Sequence, residues 1–210
     1  MAHAPTTDRA TGWRLHTPNT LVGVRIVLSV VIFVLLSGSV YPDDRTTLLV
    51  AAVLFIAAAI TDALDGHLAR KWHAITRFGR IMDPLADKIL TLGCFVLLAG
   101  PNFANPDPVA GFTGWMVIVI ISRELLVTSL RGMLEGEGVD ASANWLGKLK
   151  MILQSIAIPA ILLTLALADP LTPSLERAIS VLAWTTTLVT AASAWLYITK
   201  AITHAKADRP

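Results

Sequence analysis

The chain has 210 residues, 54% of them hydrophobic and only 15% charged, with a formal net charge of +2 and a mean hydropathy of +0.64. That balance excludes an ordinary soluble domain and indicates an integral membrane protein, with no nucleic-acid partner expected. At about 20 residues per span, the length admits one bundle of spanning helices and no separate soluble domain of typical size.

Residues 1–20 are polar and lack the apolar run of a secretory signal, so they read as a cytoplasmic tail. Within it Trp13, Arg14, Leu15 and His16 suit either a short interfacial helix or an unstructured tail, with Thr17 or Asn19 placed to cap the first span. Six apolar stretches follow, at 21–36, 48–68, 81–100, 112–134, 146–168 and 175–202. The segments between them carry helix breakers, such as Gly38 and Pro42, or Pro101, Pro106 and Pro108. Arg25 falls inside the first span, where a lipid-facing arginine is costly, so it is expected to point at a polar site. Cys94 sits in an apolar run and reads as packing, and the five His form no zinc pattern.

With the N-terminus inside, only Arg45 and Arg177 of the 17 Lys and Arg residues lie on the outer side. The positive-inside rule then puts both termini in the cytoplasm of a cell whose inner membrane holds the chain. The expected fold is an all-α integral membrane protein with six transmembrane helices and a polar active-site cavity facing the cytoplasm. It divides into a tail at 1–20, a membrane domain at 21–202 and a second cytoplasmic tail at 203–210.

Two carboxylate pairs stand out against this background. Asp62 and Asp65 are three apart near the end of the second span, on a face that also carries Gly66 and Ala69. Asp83 and Asp87 are four apart at the start of the third, with Pro84 suited to a first helical turn. An ionised carboxylate at the centre of a spanning helix costs about 2.5 to 3.5 kcal/mol, so four together need compensation. Pairing with Arg70, Lys71, Arg77, Arg80 and Lys88 is one source of it. Hard oxygen ligands in two facing turns also suit a pair of Mg²⁺ or Mn²⁺ ions beside substrate phosphates. The small Gly66 and Ala69 would let a nucleotide or a neighbouring helix approach the backbone.

A second polar segment carries Arg123, Glu124, Arg131, Lys148 and Lys150. Arg123 and Arg131 are eight apart and so near one helix face. Such a set fits a phosphate-bearing acceptor or an anionic lipid surface, and Glu124 is placed to orient Arg123.

The segment Asp62-Ala63-Leu64-Asp65-Gly66-His67-Leu68-Ala69-Arg70, followed by Gly79-Arg80-Ile81-Met82-Asp83-Pro84-Leu85-Ala86-Asp87, resembles the signature of the CDP-alcohol phosphotransferase family at every defining position. The resemblance implies a six-helix membrane fold, usually dimeric, that moves a substituted phosphoryl group from a CDP-linked donor to an alcohol and releases CMP. It implies two Mg²⁺ ions on Asp62, Asp65 and Asp83, with Asp87 near the second ion and serving as general base. Gly66, Ala69, Arg70 and Gly79 would line the cytidine diphosphate, with Arg25 beside them.

Thr17-Pro18-Asn19, Arg25, Thr76-Arg77-Phe78-Gly79, Asp83-Pro84-Leu85-Ala86-Asp87-Lys88, Arg123-Glu124 and Gly147-Lys148-Leu149-Lys150 extend the resemblance to the bacterial phosphatidylglycerophosphate synthases of that family. There the donor is CDP-diacylglycerol and the acceptor sn-glycerol 3-phosphate, which Arg123, Arg131 and Lys148, with Lys150 as a further candidate, would hold by its phosphate. Met151, where these enzymes commonly have a small polar residue, and the longer tail are departures. Serine, inositol phosphate or phosphatidylglycerol as acceptor are the alternatives within the family. An ion transporter explains the carboxylates and not the Gly66, Ala69, Arg70 and Gly79 spacing, and a structural scaffold explains neither.

Overall fold

A computed structural model describes residues 13–38, 41–71, 77–104, 108–139 and 145–207, and within these the side chains of 13–19, 63, 65–71, 77–81 and 205–207 lie outside the description. The described residues form six α-helices: α1 (Trp13–Ser37), α2 (Arg45–Lys71), α3 (Arg77–Leu98), α4 (Gly114–Gly136), α5 (Trp145–Leu167) and α6 (Pro173–Ala207). A single 3-10 turn (Pro101–Phe103) is the other helical element, and no strand occurs among the described residues.

Local chemistry sets the helix ends. Asp44 caps α2 by accepting the Thr47 N–H at 3.0 Å. The amide of Asn102 donates to the carbonyls of Leu36 and Ser37 at 3.2 and 2.9 Å, which satisfies the open end of α1. α4 stops in a Schellman turn: Gly138 takes φ +77°, Val139 N–H reaches the Leu134 carbonyl at 2.8 Å, and Gly138 N–H reaches that of Glu135. α6 opens with Pro173 and has Glu176 in its first turn, where the helix dipole favours an acid.

Two local expectations change. α1 starts at Trp13, so Thr17 and Asn19 lie inside it and do not cap it, and the stretch expected as a separate interfacial helix forms its opening turns. Pro84 stands well inside α3. It removes one backbone bond there, a cost that tertiary packing of the helix has to cover.

The helices close into a ring. α1 lies against α2 and α3, α2 against α5, α5 against α6, and α6 against α4, while α3 leans more lightly on α4 and α5. Successive helices reverse direction, so the described side chains sort by depth. One end is apolar: Ile32, Leu48, Phe55, Phe95, Phe112 and Ile161 meet there, with the Phe95 and Phe112 ring centroids 4.8 Å apart. The other end collects Arg25, Asp62, Asp87, Arg123 and Lys150.

Four helices, α1, α2, α5 and α6, are long and apolar enough to cross a membrane by length and composition. Only 28% to 39% of each such stretch is buried in the molecule, so apolar side chains such as Val27, Val34, Val53, Ile156 and Leu188 cover its outside. A surface of that kind calls for lipid. α3 and α4 have the length but carry Asp83, Asp87 and Lys88, or Arg123, Glu124 and Arg131. α3 and α4 fall short on apolarity because each carries several charges, while α1, α2 and α5 also bring charge to the polar end through Arg25, Asp62 and Lys150.

Candidate active site

Arg25 on α1 is completely buried, and its Nη1 lies 2.7 Å from Oδ1 of Asp62 on α2, a carboxylate whose side chain is 48% exposed. The pair forms one wall of a small cavity of about 70 Å³ that Asp87 of α3, Thr91 and Ser155 also line. Its deeper surface is apolar, from Phe55, Ala58 and Leu90. Asp83, half-buried one turn before Asp87, is within electrostatic reach of both Arg25 and Asp62. Three of the four expected carboxylates therefore converge from α2 and α3 around a guanidinium from α1, which matches the expectation that Arg25 faces a polar site.

The fourth, Asp65, lies outside the described side chains, as do Gly66, Ala69, Arg70 and Gly79, although their backbone is helical in the last turns of α2 and the first of α3. Among the described residues no group of three acidic or histidine side chains is by itself arranged to hold an ion. The donor chemistry nevertheless suits a hard divalent cation: every described acid here presents carboxylate oxygens, and the cavity already accommodates positive charge at Asp62.

The second cluster sits beside the first. Arg123 and Glu124 on α4 and Lys150 on α5 are all buried. One oxygen, Oε1 of Glu124, accepts from Arg123 Nη1 at 3.1 Å and from Lys150 Nζ at 2.5 Å. Arg123 Nε is buried with no hydrogen-bond partner among the described residues. Glu124 and Lys150 are within electrostatic reach of Asp87, so the two clusters share one field. The remaining expected cations are placed differently. Arg131 engages Glu135 one turn along its own helix at 3.4 Å, and Lys148 is exposed. It is Lys150, and not Lys148, that joins Arg123.

Several polar contacts here escaped the sequence reading. Gln154, one turn after Lys150, donates to Thr190 Oγ1 of α6 at 3.1 Å, and both are buried. Lys88 donates to Thr128 Oγ1, which in turn donates to the Glu124 carbonyl at 2.7 Å. Their signal was present as spacing: Lys150 and Gln154 are four apart, and Thr186, Thr190 and Ser193 follow four and three apart, which places each set on one helix face.

The family model for CDP-alcohol phosphatidyltransferases matches residues 15–197. A Bacillus subtilis protein named CDP-diacylglycerol–glycerol-3-phosphate 3-phosphatidyltransferase is 41% identical over 153 residues, covering 72% of this chain and 73% of its own. Proteins of the same name from Mycoplasma genitalium and Rickettsia typhi are 33% and 34% identical, over 74% and 70% of this chain and 68% and 76% of theirs.

Proposed function

The chain belongs to the CDP-alcohol phosphatidyltransferase family, and on that premise we propose that it transfers the phosphatidyl group of CDP-diacylglycerol to sn-glycerol 3-phosphate, giving phosphatidylglycerophosphate and CMP. The observation that carries the reading is the pairing of two sites of different charge at one end of the bundle. One is the cavity that Asp62 and Asp87 line, with Asp83 one turn from Asp87 in the same electrostatic field. The other is the buried cationic group of Arg123 and Lys150 around Glu124.

The roles divide accordingly. Asp62, Asp65, Asp83 and Asp87 would hold two Mg²⁺ ions, for which Mn²⁺ can substitute. When bound, such ions supply charge neutralisation of the diphosphate and Lewis-acid activation of the phosphorus under attack. Gly66, Ala69, Arg70 and Gly79, with Arg25, would seat the cytidine diphosphate. Arg123 and Lys150, already held together, would bind the acceptor by its phosphate, with Arg131, paired to Glu135, and the exposed Lys148 as outlying cations. Asp87, on the cavity wall and in the field of Lys150, would take the proton from the attacking hydroxyl. The new bond joins that oxygen to the phosphatidyl phosphorus, and the bond that breaks is the one to CMP.

All six helices would span the membrane, α3 and α4 also turning apolar side chains such as Val96, Ile118 and Leu125 outward. The Lys and Arg distribution supports a cytoplasmic location for both termini and the cavity, in the inner membrane. The membrane domain would run over 21–202, flanked by the tails, and family resemblance favours a homodimer.

The test is turnover by the purified chain in detergent with CDP-diacylglycerol and Mg²⁺, offering glycerol 3-phosphate, serine, inositol phosphate or phosphatidylglycerol one at a time. CMP and phosphatidylglycerophosphate formed only with glycerol 3-phosphate, and lost in Asp83→Asn, are the expected results. Turnover with another acceptor and not this one refutes the acceptor assignment.

A further inference from the structure

A fully buried arginine on a spanning helix needs compensating negative charge, and the carboxylate that Arg25 meets across helices, Asp62, is itself half in water. Arg25 is 0% exposed, whereas the Asp62 side chain it meets at 2.7 Å is 48% exposed. Removing a guanidinium from solvent is costly, and a half-solvated carboxylate returns only part of that cost. Its cost falls because the same cation lies within electrostatic reach of Asp83 and Asp87. Arg25 thus stands among three carboxylates from two helices, on the wall of the cavity that Asp62 and Asp87 also line, and Ser29 fixes its turn of α1 by donating to the Arg25 carbonyl at 2.8 Å.

We infer that Arg25 is the resident counter-cation of the carboxylate cavity: it holds Asp62 in the metal-free protein and opposes a divalent ion there until the donor's diphosphate brings more negative charge. This rests on the proposed metal site, and it assigns Arg25 a positioning role separate from contact with the nucleotide. Its physical content is competition. Asp62 Oδ1 cannot serve the guanidinium and an ion at full strength together, and a monocation a few ångströms from a dication repels it. The consequence is coupling: the ion binds weakly to the empty enzyme and tightly with donor present, which keeps three acids and a bound metal from forming an inert complex.

The experiment is a Mn²⁺ titration of the full chain in detergent without nucleotide, following free Mn²⁺ by electron paramagnetic resonance. Arg25→Met is expected to bind Mn²⁺ about tenfold more tightly than the wild type, since solvent at the half-exposed Asp62 screens much of the repulsion that is removed. Arg25→Lys, which keeps the charge on a shorter reach, is expected to stay within about threefold. Unchanged or weaker binding in Arg25→Met overturns the inference.

If Arg25→Met does not survive extraction, Arg25→Lys carries the test through its thermal midpoint. A metal-free midpoint below wild type that saturating Mn²⁺ restores supports the inference, and a deficit that persists in Mn²⁺ overturns it as a packing defect. Wild-type protein that binds no Mn²⁺, or binds it equally after Asp83→Asn, removes the proposed metal site itself and this inference with it. Wild-type binding sensitive to Asp83 but indifferent to Arg25 removes the role of Arg25 alone.

Discussion

Glu124→Ala is the substitution that most directly tests how the polar end is held together. The carboxylate is buried, with a side chain only 7% exposed, and one oxygen serves two cations from two helices at 3.1 and 2.5 Å. Deleting it leaves Arg123 and Lys150, both about 8% exposed, facing each other without an anion. At an effective dielectric near 20, a contact of about 3 Å is worth some 5 kcal/mol before desolvation, and breaking a buried pair by removing one partner costs about 3 to 5 kcal/mol. Part of the loss is recoverable, because Lys150 can turn toward Asp87 and water can follow it from the cavity, so the lower half of that range is expected. Glu124→Gln keeps the volume and one acceptor and should lose less. Glu124→Leu combined with Lys150→Met, which removes two of the three charges and leaves Arg123 as the one buried cation of the group, should recover part of the stability lost in Glu124→Ala, since each unpaired buried charge removed lifts a desolvation cost. The assay is reversible unfolding in mixed detergent micelles followed by fluorescence of the six Trp residues. A Glu124→Ala cost below about 1 kcal/mol would refute the reasoning, because a loss that small is typical of a surface pair. So would a double variant as unstable as Glu124→Ala.

Three other expectations follow from single features. Arg123→Ala should raise KM for glycerol 3-phosphate about tenfold or more while CDP-diacylglycerol saturation changes little, and steady-state kinetics with each substrate varied in turn checks it. Gly111→Ala should destabilise the chain by about 1 to 3 kcal/mol in the same unfolding assay, because φ is +71° and an added Cβ would stand 3.1 Å from Ile179 and 3.2 Å from Ala183. Asp44 has its carboxyl held below the usual carboxylate range by the Thr47 hydroxyl and then the Thr47 N–H. Its contribution is therefore complete above the unfolded value near about 4 and is lost as pH falls through the lower folded value. Asp44→Asn should remove this pH dependence below about pH 4 and lower stability slightly at neutrality, where the carboxylate's contribution is complete, which denaturation midpoints measured across pH check.

The carboxylate motif and the six helices were legible because both are written in local spacing. A three-residue or four-residue step between acids fixes a shared helix face whatever the bundle does, and an apolar run of spanning length is helical because a bilayer leaves its backbone no other partner. Arg25 was legible as well, by the cost of pointing it at lipid. What spacing did not resolve was partner choice across helices. Lys148 and Lys150 are two residues apart and so fall on different faces of α5, and only its rotation in the ring decides that Lys150 turns inward while Lys148 is exposed. Arg131, though near the face of Arg123, meets Glu135 on its own helix first. The start of α1 was misjudged as well. Thr17, Pro18 and Asn19 are strong start signals, yet the helix runs back through Pro18 to Trp13, although Pro18, six residues in, cannot donate to the Arg14 carbonyl.

The charges that the proposed reaction uses also set the arrangement of the helices that carry them. Lipid offers little hydrophobic drive for helix association, so specific packing and polar contacts must choose neighbours and register. Arg25 with Asp62 joins α1 to α2, Glu124 with Lys150 joins α4 to α5, Gln154 with Thr190 joins α5 to α6, and Lys88 with Thr128 joins α3 to α4. These four links run through the polar half of the ring, while the opposite half closes on Ile32, Phe95, Phe112 and Ile161 by apolar contact. A substitution at the polar end should therefore disturb register and chemistry together, and one in the apolar half should cost stability with less effect on KM. That is why substrate-by-substrate kinetics, and not loss of activity alone, separates a binding group from a structural one in this bundle.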